Sequence, residues 1–542
     1  MVKQKNYTKI YLLLASITGG GLLSLSWPLR GFPLLSLISL VPFLWILDYI
    51  ENHRTDFVGG AVFRYTYLGF LLWNAATSYW IWYATAVGSI FVILVNAALM
   101  SFSLQLAFNL KKWLGSKSKI GIIYIILWLC FEYLHFNWEL SWPWLSLGNV
   151  FATMPAIVQW YEFTGILGGT LWIWLVNIFI YYIILSIYNK QLKERVFYIY
   201  LIILFFLLAI PLTYSLFRYN NINLKNSDEV NVLVLQPNLD PYKEEFTISP
   251  QENITRIKNL IDEINAEKVD FFLAPESNIQ EGIWENNFDD SYSINEIKKI
   301  LKEKYPNALY ITGASTYKIF EDGESLTSTA RYNKYHDFYF DAYNSVLFID
   351  TSGVVGIYHK IKLVAGVEQM PYKKIIKPIE KLAINLGGTT GSLGKDSVPY
   401  VHPHYKANIG VAICYESVFG EFISDFVKRG ANVLFVITND GWWGNTAGHR
   451  QHFSYASLRA IETRREIARS ANTGISCVIN KRGDVLKSTN YWEKTAFLTT
   501  MSLWNDETIY TKHGDYIGRI AVFSLCLIIL IDIIKLIIKK IH

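Results

Sequence analysis

The sequence has little charge for its length. Of its 542 residues, 18% are Asp, Glu, Lys or Arg and 52% are hydrophobic, whereas soluble domains carry about 25% charged residues. The deficit is uneven, because 21 of the first 220 positions are charged against 74 of the remaining 322. A disordered chain and a wholly water-soluble protein are therefore excluded, and we expect the first part to lie in lipid.

Cysteine and net charge are also scarce. The four cysteines are too few and too widely spaced for a disulfide framework. The formal net charge of +5 is spread thinly along the chain, so charge gives no support to nucleic-acid binding. His402, His404, His449 and His452 lack the spacing of a zinc site. We therefore expect no nucleic-acid partner and no metal site.

Long apolar runs, by contrast, recur along the first 220 residues and once more near the end. A helix needs about 20 apolar residues to cross a bilayer. The predicted spans are residues 11–27, 32–50, 57–84, 88–110, 120–136, 163–188, 196–217 and 517–538. The first two could instead form a helical hairpin broken at Pro28 and Gly31. The sequence thus predicts a multi-pass α-helical membrane domain of about eight spans.

Basic residues mark alternate connections between these spans. They cluster at the N-terminus, in the fourth-to-fifth and sixth-to-seventh connections, and in the C-terminal tail, whereas the third-to-fourth connection has none. Because cytoplasmic loops are enriched in Lys and Arg, we expect both termini in the cytoplasm. The expected location is a bacterial inner membrane, with the segment between spans seven and eight on the periplasmic side.

That segment has the pattern of a different fold. Short β-branched runs alternate with amphipathic stretches, which predicts an α/β layered arrangement. The expected strands are 230–235, 271–273, 309–312, 345–349, 409–413, 433–437 and 476–479, and the expected helices are 254–266, 294–304, 419–428 and 451–464. The predicted domains are 1–228 with seven membrane helices, 229–505 as the extracytoplasmic α/β domain, and 506–542 with the last span and the tail.

Three strand ends carry residues suited to chemistry, and reactive groups of α/β folds lie at strand carboxyl ends. Glu276 follows an apolar strand, although alone it could be a solvated loop acid. Lys360 follows the strand and turn after Ser345, although alone it could belong to a basic surface patch. Cys414 ends the strand 409–413, and a helix beginning near Phe419 would favour its thiolate.

The three residues complement one another. A nucleophilic thiol needs a base to take its proton and a positive group to stabilise the developing oxyanion. Glu276, Lys360 and Cys414 supply one of each on three separate strand ends. The combination therefore predicts a thiol enzyme.

In their order and flanking residues, these positions resemble the Glu-Lys-Cys triad of the nitrilase superfamily. With the membrane segments, the chain resembles the apolipoprotein N-acyltransferases, a membrane-embedded branch of that superfamily. The likeness rests on Pro275-Glu276, Tyr343-Asn344-Ser345, Tyr358-His359-Lys360, Cys414-Tyr415-Glu416, Gly420-Glu421, the run from Thr438 to Gly444, Gln451-His452, the run from Arg469 to Gly474, and Trp142-Pro143-Trp144-Leu145.

The resemblance implies a nitrilase-like αββα sandwich that transfers an acyl chain through a thioester on Cys414. The donor would be a membrane phospholipid, in the family phosphatidylethanolamine. The acceptor would be the N-terminal amine of the diacylglyceryl-cysteine of lipoproteins, whose maturation this step completes. The implied catalytic residues are Glu276, Lys360 and Cys414, and the implied supporting residues are Glu368, Tyr415, Glu416 and Tyr343.

Two features depart from the family pattern. The family usually has His two positions after the triad lysine, where this chain has Lys362. It then has Pro-Phe-Gly-Glu, where this chain has Ala365-Gly366-Val367-Glu368, so that the glutamate keeps its offset. Two alternatives from other classes stay open: a membrane-tethered nitrilase-type amidase, and a non-catalytic lipid-binding or transport protein.

Overall fold

The computed structural model describes residues 2–28, 31–114, 121–245, 247–372 and 392–541. The chain divides into two compact units. One consists of Met1–Asn221 with His513–His542 and contains helices, and the other is Ile222–Lys512 and combines helices with strands.

The first unit contains the predicted membrane helices. Six segments of the described chain are long and apolar enough to cross a membrane: Thr8–Ser26, Pro33–Asn52, Ala86–Trp113, Tyr161–Tyr188, Arg195–Asn221 and Tyr516–Ile538. The other two predicted spans correspond to the helices Ala61–Ser78 and Ile122–Asn137, which fall short in hydropathy or in length. Residue 120, where the predicted fifth span begins, lies outside the described residues. A multi-pass helical membrane domain is confirmed.

One buried acid of this unit, Glu132, is hydrogen-bonded within it. The buried carboxylate of Glu132 accepts hydrogen bonds from the indole N–H of Trp128, the main-chain N–H of Leu147 and the hydroxyl of Thr170, at 2.9, 2.9 and 2.7 Å. A polar group that is unsatisfied in lipid costs several kcal/mol. Glu132 therefore anchors the chain just after the Trp142–Leu145 motif to two membrane helices.

The second unit contains two β-sheets. Its strands are β1 Glu229–Gln236, β2 Phe271–Leu273, β3 Ile279–Trp284, β4 Leu309–Ile319, β5 Arg331–Asn333, β6 Phe338–Ile349, β7 Val354–His359, β8 Val401–Pro403, β9 Asn408–Ile413, β10 Val433–Thr438, β11 Ile467–Ala471, β12 Cys477–Ile479, β13 Val485–Ser488 and β14 Thr495–Ser502. One sheet has the order β14-β1-β2-β4-β6-β5, with β3 beside β4 and β7 beside β6. The other has the order β13-β12-β11-β10-β9-β8.

Each sheet is covered by helices on one face and by the other sheet on its second face. The helices Pro250–Ile264 and Tyr292–Lys304 bury their apolar sides against the first sheet. The helix Gly420–Lys428 packs on β9, where a Cβ at Gly410 would lie 3.0 Å from Phe426. Between the sheets, the rings of Phe271 and Phe435 meet at 6.0 Å. The predicted αββα sandwich is therefore confirmed.

The alternation of side chains along the strands explains this layering. Successive residues of a strand point to opposite faces. In β1 and β2, Leu233, Leu235 and Phe272 belong to the core beneath the helices, whereas Phe271 faces the second sheet. All seven predicted strands and all four predicted helices overlap observed ones. The strands that the prediction missed are β3, β5, β7, β8, β11, β13 and β14.

Candidate active site

Cys414 occupies a sharp turn at the carboxyl end of a central strand. It directly follows β9, which pairs with β8 and β10, and it begins a 3₁₀ helix, Cys414–Val418. Its φ is +50°, a strained value for a residue with a side chain, and such strain collects at functional sites. The residue is 8% exposed. The turn therefore holds the thiol in a defined place at the end of the sheet.

Glu416 connects this turn to the loop that carries Lys360. One carboxylate oxygen accepts a hydrogen bond from the main-chain N–H of Ile413 at 2.8 Å. The other accepts from the Tyr358 hydroxyl at 2.7 Å and from the main-chain N–H groups of Ile361 and Lys362 at 2.7 and 3.2 Å. Burial raises the pKa of Glu416 to about 7. Glu416 thus joins the two segments that bear the predicted nucleophile and the predicted oxyanion ligand.

Glu276 lies on the loop after β2, close to the backbone of β4. A Cβ at Gly313 would lie 2.6 Å from the Glu276 Cα, so glycine allows this approach. The main-chain N–H of Gly313 donates to the carbonyl of Pro275 at 3.0 Å. Ser277, the next residue, has a φ of +53°. The loop is therefore held tightly, with Glu276 only 7% exposed.

Three donors hold the Glu276 carboxylate. Oε1 accepts from the side-chain amide of Asn344 at 2.7 Å and from Lys360 Nζ at 3.2 Å. Oε2 accepts from the main-chain N–H of Asn439 at 3.0 Å. Hydrogen bonds to the ionised form of a carboxylate stabilise its charge. Glu276 is thus oriented by donors from strand β6 and from the segments that follow β7 and β10.

Lys360 lies between two carboxylates. Its Nζ also donates to Glu368 Oε1 at 2.8 Å, and it is 1% exposed. Glu368 accepts further bonds from the Asn344 amide at 3.0 Å and the main-chain N–H of Val364 at 2.8 Å. Burial lowers the pKa of Lys360, but Glu276 and Glu368 outweigh it and hold this pKa well above its usual value. The ammonium is therefore charged at any physiological pH.

The thiol of Cys414 is close enough to Glu276 and Lys360 for both charges to act on it. Burial raises its pKa strongly, Glu276 raises it further, and Lys360 lowers it. The predicted helix does begin beside Phe419, at Gly420, but burial of Cys414 raises the pKa of the thiol, against the expectation of a resting thiolate. The resting thiol keeps its proton and needs a neighbouring base.

A buried polar network lies behind the nucleophile. Arg469 forms an ion pair with Asp440 and lies 3.1 Å from Nδ1 of His452. Burial and Arg469 lower the pKa of His452. Its Nε2 lies 3.0 Å from the Cys414 carbonyl oxygen, and its Nδ1 lies 3.0 Å from Asp440 Oδ1. Cys414, Asp440 and His452 offer metal-ligand atoms within 4.8 Å of one another. Both ring nitrogens already have protein partners, so the network is better described as a support for the Cys414 turn.

A second cluster lies beside the triad and contains the predicted supporting residue Tyr343. Its ring stacks on His359 with centroids 4.0 Å apart. The two nitrogens of His359 lie 2.9 Å from Asp396 Oδ1 and from Glu285 Oε1. Burial lowers the pKa of His359, but the two carboxylates outweigh it and raise the pKa to about 9. Tyr343 therefore contacts the residue before Lys360 rather than the triad itself.

The structure thus brings Glu276, Lys360 and Glu368 into direct contact and places Cys414 within reach of their charges. Tyr415 packs its ring edge against Phe419 at 5.1 Å, and the predicted oxyanion role of its main-chain N–H stays a prediction. The prediction missed Asn344 and Asn439. Both residues stand in motifs of the family resemblance, but a motif does not show that the side chain of Asn344 and the main-chain N–H of Asn439 bind Glu276.

This arrangement can perform nucleophilic acyl chemistry. The site brings together a protonated thiol, a carboxylate that can act as a base and a permanent cation. Covalent catalysis with oxyanion stabilisation requires these three groups. Burial strengthens each of these electrostatic interactions, because the local dielectric is low.

Sequence comparisons agree with this chemistry. Residues 19–179 match the family described as the apolipoprotein N-acyltransferase N-terminal domain. Residues 234–504, half of the chain, match the carbon-nitrogen hydrolase family. The first match falls within the helical unit and the second within the α/β unit.

Curated relatives match along most of the chain. The apolipoprotein N-acyltransferase of Chlorobaculum tepidum is 28% identical over 509 residues, covering 91% of both chains. That of Geobacter metallireducens is 26% identical, covering 93% of this chain and 91% of its own. Apolipoprotein N-acyltransferase 1 of Treponema denticola is 24% identical, covering 96% and 97%.

Two solved structures are similar over about half of the chain. An amidase from Nesterenkonia sp. is 14% identical, with a TM-score of 0.34, and the match covers 53% of this chain and 94% of the amidase. A CN-hydrolase superfamily protein from Xanthomonas campestris is 15% identical, with a TM-score of 0.35, covering 51% and 91%.

Proposed function

Because the chain belongs to the apolipoprotein N-acyltransferase family, we propose that it transfers an acyl chain from a membrane phospholipid to the N-terminal amine of lipoproteins. It is an acyltransferase of the membrane, with a nitrilase-type domain and lipoproteins as acceptors. Membrane helices and the N-terminal family match favour acyl transfer over a tethered amidase or a transport protein.

One observation carries the proposed mechanism: the Lys360 ammonium is held between Glu276 and Glu368 beside the protonated thiol of Cys414. A charged lysine at this place cannot act as the base, because its pKa lies well above the usual value. Its role is then to donate hydrogen bonds to developing negative charge. The base is the neighbouring carboxylate, Glu276.

In the first half-reaction, Glu276 takes the proton of the Cys414 thiol while Sγ attacks an ester carbonyl carbon of the phospholipid. Lys360 Nζ donates to the resulting oxyanion, and losing one such donor typically costs about 10²- to 10³-fold in rate. The ester C–O bond then breaks. The departing lysophospholipid oxygen takes the proton from Glu276, and a thioester remains on Cys414.

In the second half-reaction, the α-amine of the diacylglyceryl-cysteine attacks the thioester carbonyl. Glu276 accepts the proton that the amine loses and returns it to the Cys414 thiolate as the C–S bond breaks. The products are an amide on the lipoprotein and the resting thiol. Two substrates thus react in turn at one nucleophile, which is a ping-pong scheme.

The membrane setting follows from the substrates. Each buried CH₂ of an acyl chain contributes about 0.8 kcal/mol, so neither substrate leaves the bilayer readily. We further propose phosphatidylethanolamine as the donor, on the family resemblance. The distribution of basic loops supports a periplasmic catalytic domain with both termini in the cytoplasm.

The test is acyl-enzyme formation by the full chain reconstituted in phosphatidylethanolamine vesicles. Intact mass spectrometry of the native protein is expected to show one added acyl chain that hydroxylamine removes. Cys414→Ala is expected to show none. Glu276→Gln is expected to fold normally but to acylate at least 100-fold more slowly, because it lacks the base.

The matched control is Cys526→Ser, which removes an exposed thiol of the last helix and should acylate like the native protein. An acyl adduct that persists in Cys414→Ala would overturn the proposed nucleophile. Adding a diacylglyceryl peptide should discharge the thioester and yield an N-acyl peptide, and an acyl-enzyme that only hydrolyses would overturn the transfer function.

A further inference from the structure

A further carboxylate besides Glu276 and Glu368, that of Glu245, is buried near the triad. It lies in the turn after β1 and is 6% exposed. Its Oε2 accepts a hydrogen bond from the side-chain amide of Asn439 at 2.6 Å, and the Ser277 side chain also bonds it. Ser277 directly follows Glu276 in the chain. Glu245 therefore touches two residues that adjoin the proposed base.

Asn439 links the two carboxylates. Its side-chain N–H groups point to Glu245, while its main-chain N–H donates to Glu276 Oε2 at 3.0 Å. The side-chain oxygen of Asn439 accepts from Asn472 at 3.3 Å. The orientation of the Asn439 main-chain N–H, which binds Glu276, thus depends on the contacts of the Asn439 side chain. The hydrogen bond to Glu245 is the shorter of the two contacts described.

A buried ionised carboxylate is unfavourable at this position, because an uncompensated charge inside a protein costs much free energy. Two ionised carboxylates at close range would also repel each other. Burial raises the pKa of Glu245 to about 8, and the charge of Glu276 raises it as well. At neutral pH, Glu245 therefore keeps its proton and acts as a neutral hydrogen-bonding group.

We propose that Glu245 is a positioning residue of the acyl-transfer site, which holds Asn439 so that its main-chain N–H orients the Glu276 carboxylate toward the Cys414 thiol. This inference rests on the proposed function, since it assigns Glu276 the role of base. Glu245 acts through Asn439 and needs no contact with lipid or lipoprotein.

If Glu245 holds Asn439 through a hydrogen bond, glutamine at this position should perform the same role. In Glu245→Gln, the amide oxygen can accept the same hydrogen bond from Asn439, and the neutral side chain resembles the protonated acid. In Glu245→Leu, the volume is similar but no acceptor remains, so the Asn439 amide loses its partner. A misplacement of about 1 Å at a reacting group can cost about 10²-fold in rate.

The experiment is single-turnover acylation of the full chain in phosphatidylethanolamine vesicles, followed by intact mass. Glu245→Leu is expected to lower the acylation rate constant by about 10- to 100-fold while the half-saturating lipid content stays unchanged. Glu245→Gln is expected to remain within about threefold of the native protein. The final amount of acyl-enzyme per folded protein should be equal in all three.

The matched control is Glu244→Gln, in the same turn. Glu244 binds Arg256 at 2.9 Å and the main-chain N–H of Asp240 at 2.9 Å rather than the site, so its variant should acylate normally. If Glu245→Leu lowers only the amount of folded protein, with an unchanged rate constant, the positioning role is refuted. The same holds if Glu245→Gln is as slow as Glu245→Leu.

The two proposals fail in different ways. Absence of any thioester in the native protein would refute the function of Cys414 whatever Glu245 does. A native thioester that forms equally fast in Glu245→Leu would refute only the role of Glu245.

Discussion

Replacing Glu416 with alanine should damage both stability and acylation. The carboxylate accepts four hydrogen bonds. Those from the main-chain N–H of Ile413 and the Tyr358 hydroxyl are buried, and those from the main-chain N–H groups of Ile361 and Lys362 are partly buried. Leaving a buried donor without an acceptor costs about 1–3 kcal/mol. The two buried donors therefore cost about 4 kcal/mol together, against a typical total stability of about 5–15 kcal/mol.

The assay is thermal unfolding in detergent, followed by tryptophan fluorescence at one scan rate, together with thioester formation in vesicles. A loss of about 4 kcal/mol corresponds to a Tm lower by about 10 °C for a unit of this size. Glu416→Gln should lie between alanine and the native protein, since one acceptor oxygen remains. The control is Glu303→Ala, at an exposed helix position. A Tm within 2 °C of native for Glu416→Ala, with normal acylation, would refute the reasoning.

Two further predictions concern the surroundings of the triad. His359, whose pKa is raised from 6.5 to about 9 by its two carboxylate partners, stabilises the fold fully below pH 6.5 and loses this contribution as the pH rises through 9. The Tm of the native protein should therefore fall more steeply between pH 6.5 and 9 than that of His359→Asn, and parallel curves would contradict this. Gly313→Ala places a Cβ 2.6 Å from the Glu276 Cα; it should slow acylation at least tenfold at unchanged lipid affinity, and a native rate would contradict it.

The layered architecture could be predicted because its signals are local. Buried strands such as β1, β9 and β10 are short apolar runs rich in Val and Ile, and membrane spans are long apolar runs. The missed strands lack this signal. β13 is exposed at all four positions, and β11 carries the charged Arg469 in a fully buried strand, where only its ion pair with Asp440 makes burial acceptable.

The grouping of Glu276, Lys360 and Glu368 at the candidate site could be predicted from the sequence, but which neighbouring side chains face them could not. Tyr343 and Asn344 are neighbours in β6, so their side chains point to opposite faces. Tyr343 stacks on His359, and Asn344 binds the two carboxylates of Glu276 and Glu368. A motif shows that one of the pair matters, but only the register of the sheet shows which residue faces the site.

Electrostatic properties were the least predictable part. The strand end and the nearby helix suggested an activated thiolate at Cys414, whereas full burial of the side chain reverses that expectation. For Glu245, the sequence suggests an exposed side chain, whereas the structure shows a buried one. It follows Lys243 and Glu244 in a polar stretch that is typical of a solvated loop, and its burial depends on contacts with residues about 30 and 190 positions away in the chain.

The pairing of β1 with β14 has a consequence for how such a chain can be assembled. These antiparallel neighbours run side by side from Glu229 opposite Ser502 to Gln236 opposite Thr495. The entry and exit of the α/β unit are therefore about one strand spacing, about 5 Å, apart. A domain whose ends already meet can interrupt a loop without forcing the flanking segments apart. A hydrolase domain can in this way be inserted as one segment between two membrane helices, without a change in the topology of the helices or of the domain.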